Sequence, residues 1–261
     1  MSVLGGWWTI LFGPPLVLLW VWYGRELRRR SDVNRARRTC FRAALLLAAL
    51  VLVGPLPVLA TEYFWAHMVQ HILLMMLISP LLVLGSTVHV ASTSRYRRLR
   101  DATHWLGQRW LPQQLTRPQV GFVVFLLALM STHFSPLANA GMAHPAIHGL
   151  ELLLFLTGGC IYYYPLMNGN PQAFEVSHAV RVISLFAMMI PETMVGFFLY
   201  ASNSLLHDTG MTGMGSLDPL TDQHIGGALM WSMGMIIDSV WVVLAVIDFF
   251  ASERKRSEAL V

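Results

Sequence analysis

The chain has 261 residues, 55% of them apolar and only 12% charged, and a mean hydropathy of +0.55. Those values lie well outside the range of water-soluble domains, so a lipid bilayer is expected to solvate most of the chain. The net charge of +4 and isoelectric point near 9.4 do not point to nucleic acid, because the basic residues crowd into short loops where membrane topology and anionic lipid account for them better.

A transmembrane helix needs roughly 20 mainly apolar residues, and seven stretches qualify, at about 7–23, 43–60, 67–86, 119–138, 145–167, 179–201 and 223–250. The first starts within Gly5-Gly6-Trp7-Trp8, with no basic segment before it and no cleavage site after it. It is therefore expected to stay as a helix and not to be removed as a signal peptide. Short connections predict one membrane domain over 1–261 with no soluble module.

Orientation follows from cationic side chains, which are retained on the cytoplasmic side of short loops. The loop after the first stretch carries Arg25, Arg28, Arg29, Arg30, Arg35, Arg37, Arg38 and Arg42. The loop after the third carries Arg95, Arg97, Arg98, Arg100, Arg109 and Arg117; Arg181 follows the fifth, and the tail holds Arg254, Lys255 and Arg256. All eighteen cationic residues thus fall on one side. The expected fold is an all-α integral membrane protein, a bundle of seven transmembrane helices with the N-terminus outside and the C-terminus cytoplasmic.

Histidine is distributed the other way: seven of the ten lie toward the outer ends of these stretches. His67 and His71 are four apart in His67-Met-Val-Gln-His71, so on a helix they share a face and one metal can bridge them. His144, His148 and Glu151 repeat the device at i, i+4 and i+7, within an arc of about 60° at roughly 100° per residue. His133 and His224 lie at similar depth, and His207 is in an outer loop. A single pair at this spacing is most simply an interfacial anchor in contact with water and headgroups. Two pairs in one layer, with His133 and Glu151 added, point to a metal or proton role, because ionisable groups inside a membrane are costly and usually functional. His89, His104 and His178 fall on the cytoplasmic side and read as solvated or interfacial.

The remaining chemistry narrows the metal. Cys40 and Cys160 are the only cysteines; they are far apart, so neither a disulfide nor a thiolate site is implied. Met68 sits inside the first His pair, Met142 just before the second, and Met211 and Met214 in the outer glycine-rich loop. Thioethers select Cu(I) and imidazole also suits Cu(II), which favours copper. Most other methionines, Met75, Met76, Met188, Met189 and Met235 among them, are expected to pack between helices. Glu192, after the kinking Pro191, and Asp238 lie deeper in their stretches; a proton relay or a hydrogen bond to a neighbouring helix suits them. Gly158-Gly159 and Gly226-Gly227 permit close helix contacts.

Three segments carry a family resemblance: His67-Met-Val-Gln-His71 running into Ser79-Pro80 and Gly85, then His144-Pro-Ala-Ile-His148 with Glu151 and Tyr162-Tyr-Tyr-Pro165, and Asp222-Gln223-His224-Ile-Gly226-Gly227 with Met230-Trp231. Over about 65–235 the chain resembles the polytopic CtaG family of cytochrome c oxidase assembly factors. Ser86 stands where many members carry proline. The resemblance implies maturation of a haem-copper oxidase in the bacterial inner (plasma) membrane, usually read as copper handling near the outer face.

The expected protein binds copper through His67, His71, His144 and His148, with His133, Glu151 and His224 as further ligands or orienting groups and Met68 as a soft ligand for Cu(I). Its partners would be haem-copper oxidase subunits, a periplasmic copper donor and the lipid bilayer, and it would catalyse no reaction. Three alternatives stay open: a bis-His haem protein, a di-iron protein, and a proton- or metal-coupled transporter using Glu192 and Asp238.

Overall fold

The computed structural model describes residues 3–28, 30–167, 176–206 and 217–258. Its helices, in chain order, are α1 (Val3–Leu27), α2 (Arg35–Leu52), α3 (Leu56–Glu62), α4 (Phe64–Ile72), a π-helical turn (Leu73–Ile78), α5 (Ser79–Leu84), α6 (Thr87–Ser92), α7 (Arg97–Gly107), α8 (Trp110–Leu115), α9 (Pro118–Phe134), α10 (Pro136–Ala143), α11 (Pro145–Leu166), α12 (His178–Ala201) and α13 (Pro219–Glu258). No strand occurs among the described residues. Five helical segments there are long and apolar enough to cross a membrane: Arg35–Glu62, Phe64–Leu84, Pro145–Leu166, His178–Ala201 and Pro219–Glu258.

The seven predicted stretches fall on these helices, but two are interrupted by their own sequence. The stretch 43–60 breaks between α2 and α3 at Gly54-Pro55. The stretch 119–138 ends early because Ser135 adopts an extended backbone and its Oγ accepts from the amide of Leu137, capping α10 ahead of Pro136. That leaves α9 with 17 residues, about 26 Å long at 1.5 Å per residue.

Large apolar side chains cover the outside of the bundle, among them Ile183, Phe186 and Ile190 on α12 and Val243, Leu244 and Ile247 on α13. Water would not tolerate so continuous an apolar surface, and hydrocarbon does. Inside, Phe125, Phe155, Tyr162, Tyr163, Leu74 and Ile78 are fully buried where α9, α11 and the π turn meet.

Close backbone approach holds the helices together. A Cβ on Gly227 would lie 2.5 Å from the amide nitrogen of Tyr200, and one on Gly196 would lie 2.7 Å from that of Trp231, so α12 and α13 pack almost backbone to backbone. A Cβ on Gly159 would lie 2.5 Å from Ser79 Oγ and 2.7 Å from the Met75 carbonyl oxygen, so α11 packs closely on the π turn and α5. The paired glycines therefore serve contacts within the chain.

Pro80 accounts for much of the local geometry of the third segment. Lacking an N–H, it cannot bond the carbonyl of Met76 four residues earlier, and that carbonyl instead accepts from the Trp241 indole at 2.9 Å. The Ser79 hydroxyl donates to the Leu74 carbonyl at 2.7 Å. Beyond this segment Ser86 takes the left-handed conformation (φ 55°, ψ 37°), which proline cannot adopt, and its hydroxyl accepts from Arg37.

Replacing Gly196 or Gly227 by Ala is expected to overpack the α12–α13 contact and cost about 1–3 kcal/mol. Gly24→Ala, where an added Cβ meets nothing within 4 Å, should be neutral or slightly stabilising. Thermal unfolding of the three variants in one detergent checks the ranking; equal midpoints would contradict the packing described.

Candidate metal centre

The first His pair is placed by a cap from the far end of the chain. The Asp222 carboxylate on α13 accepts from the Phe64 amide (2.8 Å to Oδ2) and the Trp65 amide (3.0 Å to Oδ1). These are first-turn N–H groups that have no partner within α4, and the anion also complements the positive end of the helix. Gln70 fixes the rotation of α4 by donating to the Val51 carbonyl at 2.7 Å. His67 and His71 then project from one face into the bundle, each 4% exposed.

The second group comes from α11, whose Pro145 is pre-organised for the first helical position. His148 and Glu151 lie on its buried face, at 5% and 1% exposure. The Glu151 carboxylate fits against Gly141 of α10, at a spot where any Cβ would collide with it.

His67, His71, His148 and Glu151 can each present one ligand atom such that all four lie within 4.8 Å of one another. Ring centroids of His67 are 4.2 Å from His71 and 4.4 Å from His148. Both nitrogens of His71 and both carboxylate oxygens of Glu151 are buried with no hydrogen-bond partner among the described residues. A neutral imidazole carries one N–H that must be satisfied, so His71 is suited to a ligand that protein groups do not supply. Phe155 closes the cluster from below, its ring centroid 4.4 Å from that of His71.

His133 borders this group from α9, with its ring 5.9 Å from His71. Its Nδ1 lies 2.8 Å from the Leu129 carbonyl, which can only accept, so that bond puts the proton on Nδ1 and the lone pair on Nε2. Such a backbone bond fixes tautomer and ring orientation as ligating histidines require.

Other expected ligands lie elsewhere. His144 is exposed and occupies the cap position before α11 with an extended backbone (φ −129°, ψ 114°), off the helical face that carries His148 and Glu151. His224 turns to the Ser202 carbonyl at 2.8 Å and packs by Tyr200. Met68 is buried toward α13, where a Cβ on Gly226 would meet its Cγ at 3.1 Å. His207, Met211 and Met214 lie outside the described residues. Glu192 and Asp238 are both buried and face each other across α12 and α13, with the Tyr163 hydroxyl beside Asp238.

Three positioning residues carried only partial signals in the sequence. Asp222 precedes His224 in a motif that reads as ligating, yet its work is to cap α4, and Gln223 ties α13 to the end of α12 by donating to the Leu199 and Ser204 carbonyls. Gly141 follows Ala140 in a segment that also holds Ala138 and Ala143, and a glycine suits a place where another group approaches the backbone closely.

An all-helical membrane protein that brings imidazoles and a carboxylate into its apolar interior belongs to a narrow class, the polytopic proteins with a candidate metal centre between their helices. The comparison with known families is more specific: residues 18–252 match the cytochrome c oxidase caa3 assembly factors (Caa3_CtaG), and the chain belongs to that family. Uncharacterized proteins of Mycobacterium bovis and Mycobacterium tuberculosis are each 26% identical over 205 residues, and one of Mycobacterium leprae is 28% identical over 205 residues. The match covers 74% of this chain but 31% of each relative, so the chain spans about a third of their length. No solved structure matches.

Gly141→Ala is expected to displace the Glu151 carboxylate and leave the helices in place. Where a divalent metal is bound, its affinity should fall about 10–100-fold, the usual effect of disturbing groups that orient ligands. Metal titration beside circular dichroism checks this, and unchanged affinity would mean that Glu151 takes no part in binding.

Proposed function

We propose that this protein binds copper as cargo at His67, His71, His148 and Glu151 and delivers it to a haem-copper oxidase subunit during assembly. The observation that carries this reading is the buried convergence of three imidazoles and one carboxylate, with His71 and Glu151 lacking a hydrogen-bond partner among the described residues. Family membership supplies the oxidase, and the ligand chemistry favours copper. Imidazole suits Cu, Zn, Fe and Ni, and of these copper is the metal that a haem-copper oxidase must acquire besides haem iron. Neither cysteine belongs to the cluster.

The reading includes seven spans in the bacterial inner membrane, with the N-terminus outside and the C-terminus cytoplasmic. It is supported by the one-sided distribution of Lys and Arg and by the bacterial relatives. The centre would then open toward the outer compartment, where a periplasmic donor could load it and an oxidase subunit receive from it. The protein's part in that exchange is to hold neutral imidazoles in fixed orientation, His133 by its bond to Leu129, and to exclude bulk water with Phe155 and the surrounding helices. No bond is made or broken in a substrate, so the protein acts as a carrier and not as an enzyme.

Geometry weighs against two alternatives. The rings of His67 and His148 are stacked at 4.4 Å and 24°, leaving no room for a haem between them. The four-residue cluster offers a single carboxylate, whereas carboxylate-bridged di-iron sites draw several from their helices.

Copper loading of the detergent-purified protein, with either Cu(I) or Cu(II), should reach near-stoichiometric occupancy by elemental analysis. Changing His67, His71 and His148 together to Ala should abolish it, and His144→Ala and His224→Ala should each retain it. Copper at 100 times its dissociation constant should also stabilise the wild type by about 2.7 kcal/mol. Equal copper in the wild type and a folded triple variant would reject the site.

A further inference from the structure

Between the ends of α1 and α2, opposite in charge character to the His cluster, lies a cavity of about 590 Å³ lined by Arg25, Arg28, Arg38 and Arg42, with Trp20 and Leu27 on its apolar side. Membrane topology requires positive charge in this loop; it does not require four guanidiniums to converge on one concavity. Nor are they neutralised from within. None of the four has a carboxylate partner among the described residues.

The nearby acids are engaged elsewhere. Glu26 is 4% exposed and lies against Arg30 and Arg95, and it accepts from the Ser94 hydroxyl. Asp32 pairs with His89 at 3.1 Å, and that bond, ahead of any other influence, holds its carboxyl below the usual value. Arg38 is anchored by donating to the Val33 carbonyl at 2.9 Å and the Arg30 carbonyl at 2.7 Å, so one wall of the pocket is rigid. Toward the centre of α1 the pocket continues into an exposed apolar face, with Val17 at 63% and Leu18 at 69% exposure.

We propose that this pocket binds the phosphodiester headgroup of an anionic phospholipid. The guanidiniums of Arg25, Arg28, Arg38 and Arg42 take the phosphate, and Trp20 and Leu27 take the glycerol and the start of an acyl chain. Guanidinium forks match phosphate oxygens, basic pockets at the ends of membrane helices recognise such headgroups, and an indole suits the boundary between polar and apolar zones. A soluble phosphate would use the cationic rim and leave the apolar wall and the lipid-facing side of α1 without a role. The proposal is independent of copper binding.

Native mass spectrometry of the purified full chain, titrated with phosphatidylglycerol or phosphatidylcholine, tests it. The pocket variant combines Arg25→Gln, Arg28→Gln and Arg42→Gln, sparing Arg38 for its backbone bonds. A control combines Arg97→Gln, Arg98→Gln and Arg100→Gln, which removes the same charge from α7. One phosphatidylglycerol should stay bound to the wild type and the control, about a hundredfold more weakly to the pocket variant, given the usual contribution of each cationic residue at a membrane surface. Excess inorganic phosphate should not displace it. Equal retention of phosphatidylcholine, equal loss in the control, or displacement by phosphate would each overturn the assignment. Should the triple variant fail to fold, Arg42→Gln alone, on an exposed side chain, must still weaken phosphatidylglycerol selectively.

Discussion

His71 and Glu151 are buried in an apolar bundle without hydrogen-bond partners among the described residues, and the surrounding architecture is organised around that expense. Leaving a buried polar group unsatisfied costs on the order of 1–3 kcal/mol, and more for a charged one. A lipid-solvated protein cannot lower that cost by local contact with water. Two such groups side by side, with His67 and His148 within ligand distance, form an arrangement that a bound cation would stabilise. A metal ion would convert the electrostatic liability of the cluster into coordination bonds, and this links its stability to its proposed role.

Holding the groups there depends on contacts far apart in sequence. Asp222 starts α4 at the right residue, Gln70 sets its rotation against α2, and the Leu129 carbonyl aims His133. Below the cluster, Trp241 takes up the Met76 carbonyl that Pro80 leaves without an amide donor, and the π turn and α5 pack on α11 at Gly159. These bonds join α4 to α2 and α13, and the π turn to α13. The centre is thereby a property of the bundle and not of any one motif.

Much of this was legible in the sequence because bilayer thickness and helical periodicity are strict. Hydropathy located the helices, and the four-residue spacing of His67 and His71 put both on one face. His148 and Glu151 followed from the same rule. The rule failed at His144 because the helix begins only at Pro145: an extended residue does not share the 100° rotation that the argument assumed. His224, expected beside the cluster from its depth, points away from it, since depth along a helix does not give direction around it, and its ring meets the Ser202 carbonyl. The break at Ser135 came from an N-cap followed by proline, a signal that average hydropathy overrides. Asp222 and Gly141 act through tertiary contact, which a single sequence does not display.

X-ray absorption at the copper edge of the loaded protein tests the central claim most directly, because it counts ligand atoms in either oxidation state. The account predicts three imidazole nitrogens, one further oxygen or nitrogen and no sulfur, with the imidazole count falling by one in a folded His148→Ala variant. A sulfur ligand, or an imidazole signal unchanged in that variant, would contradict it.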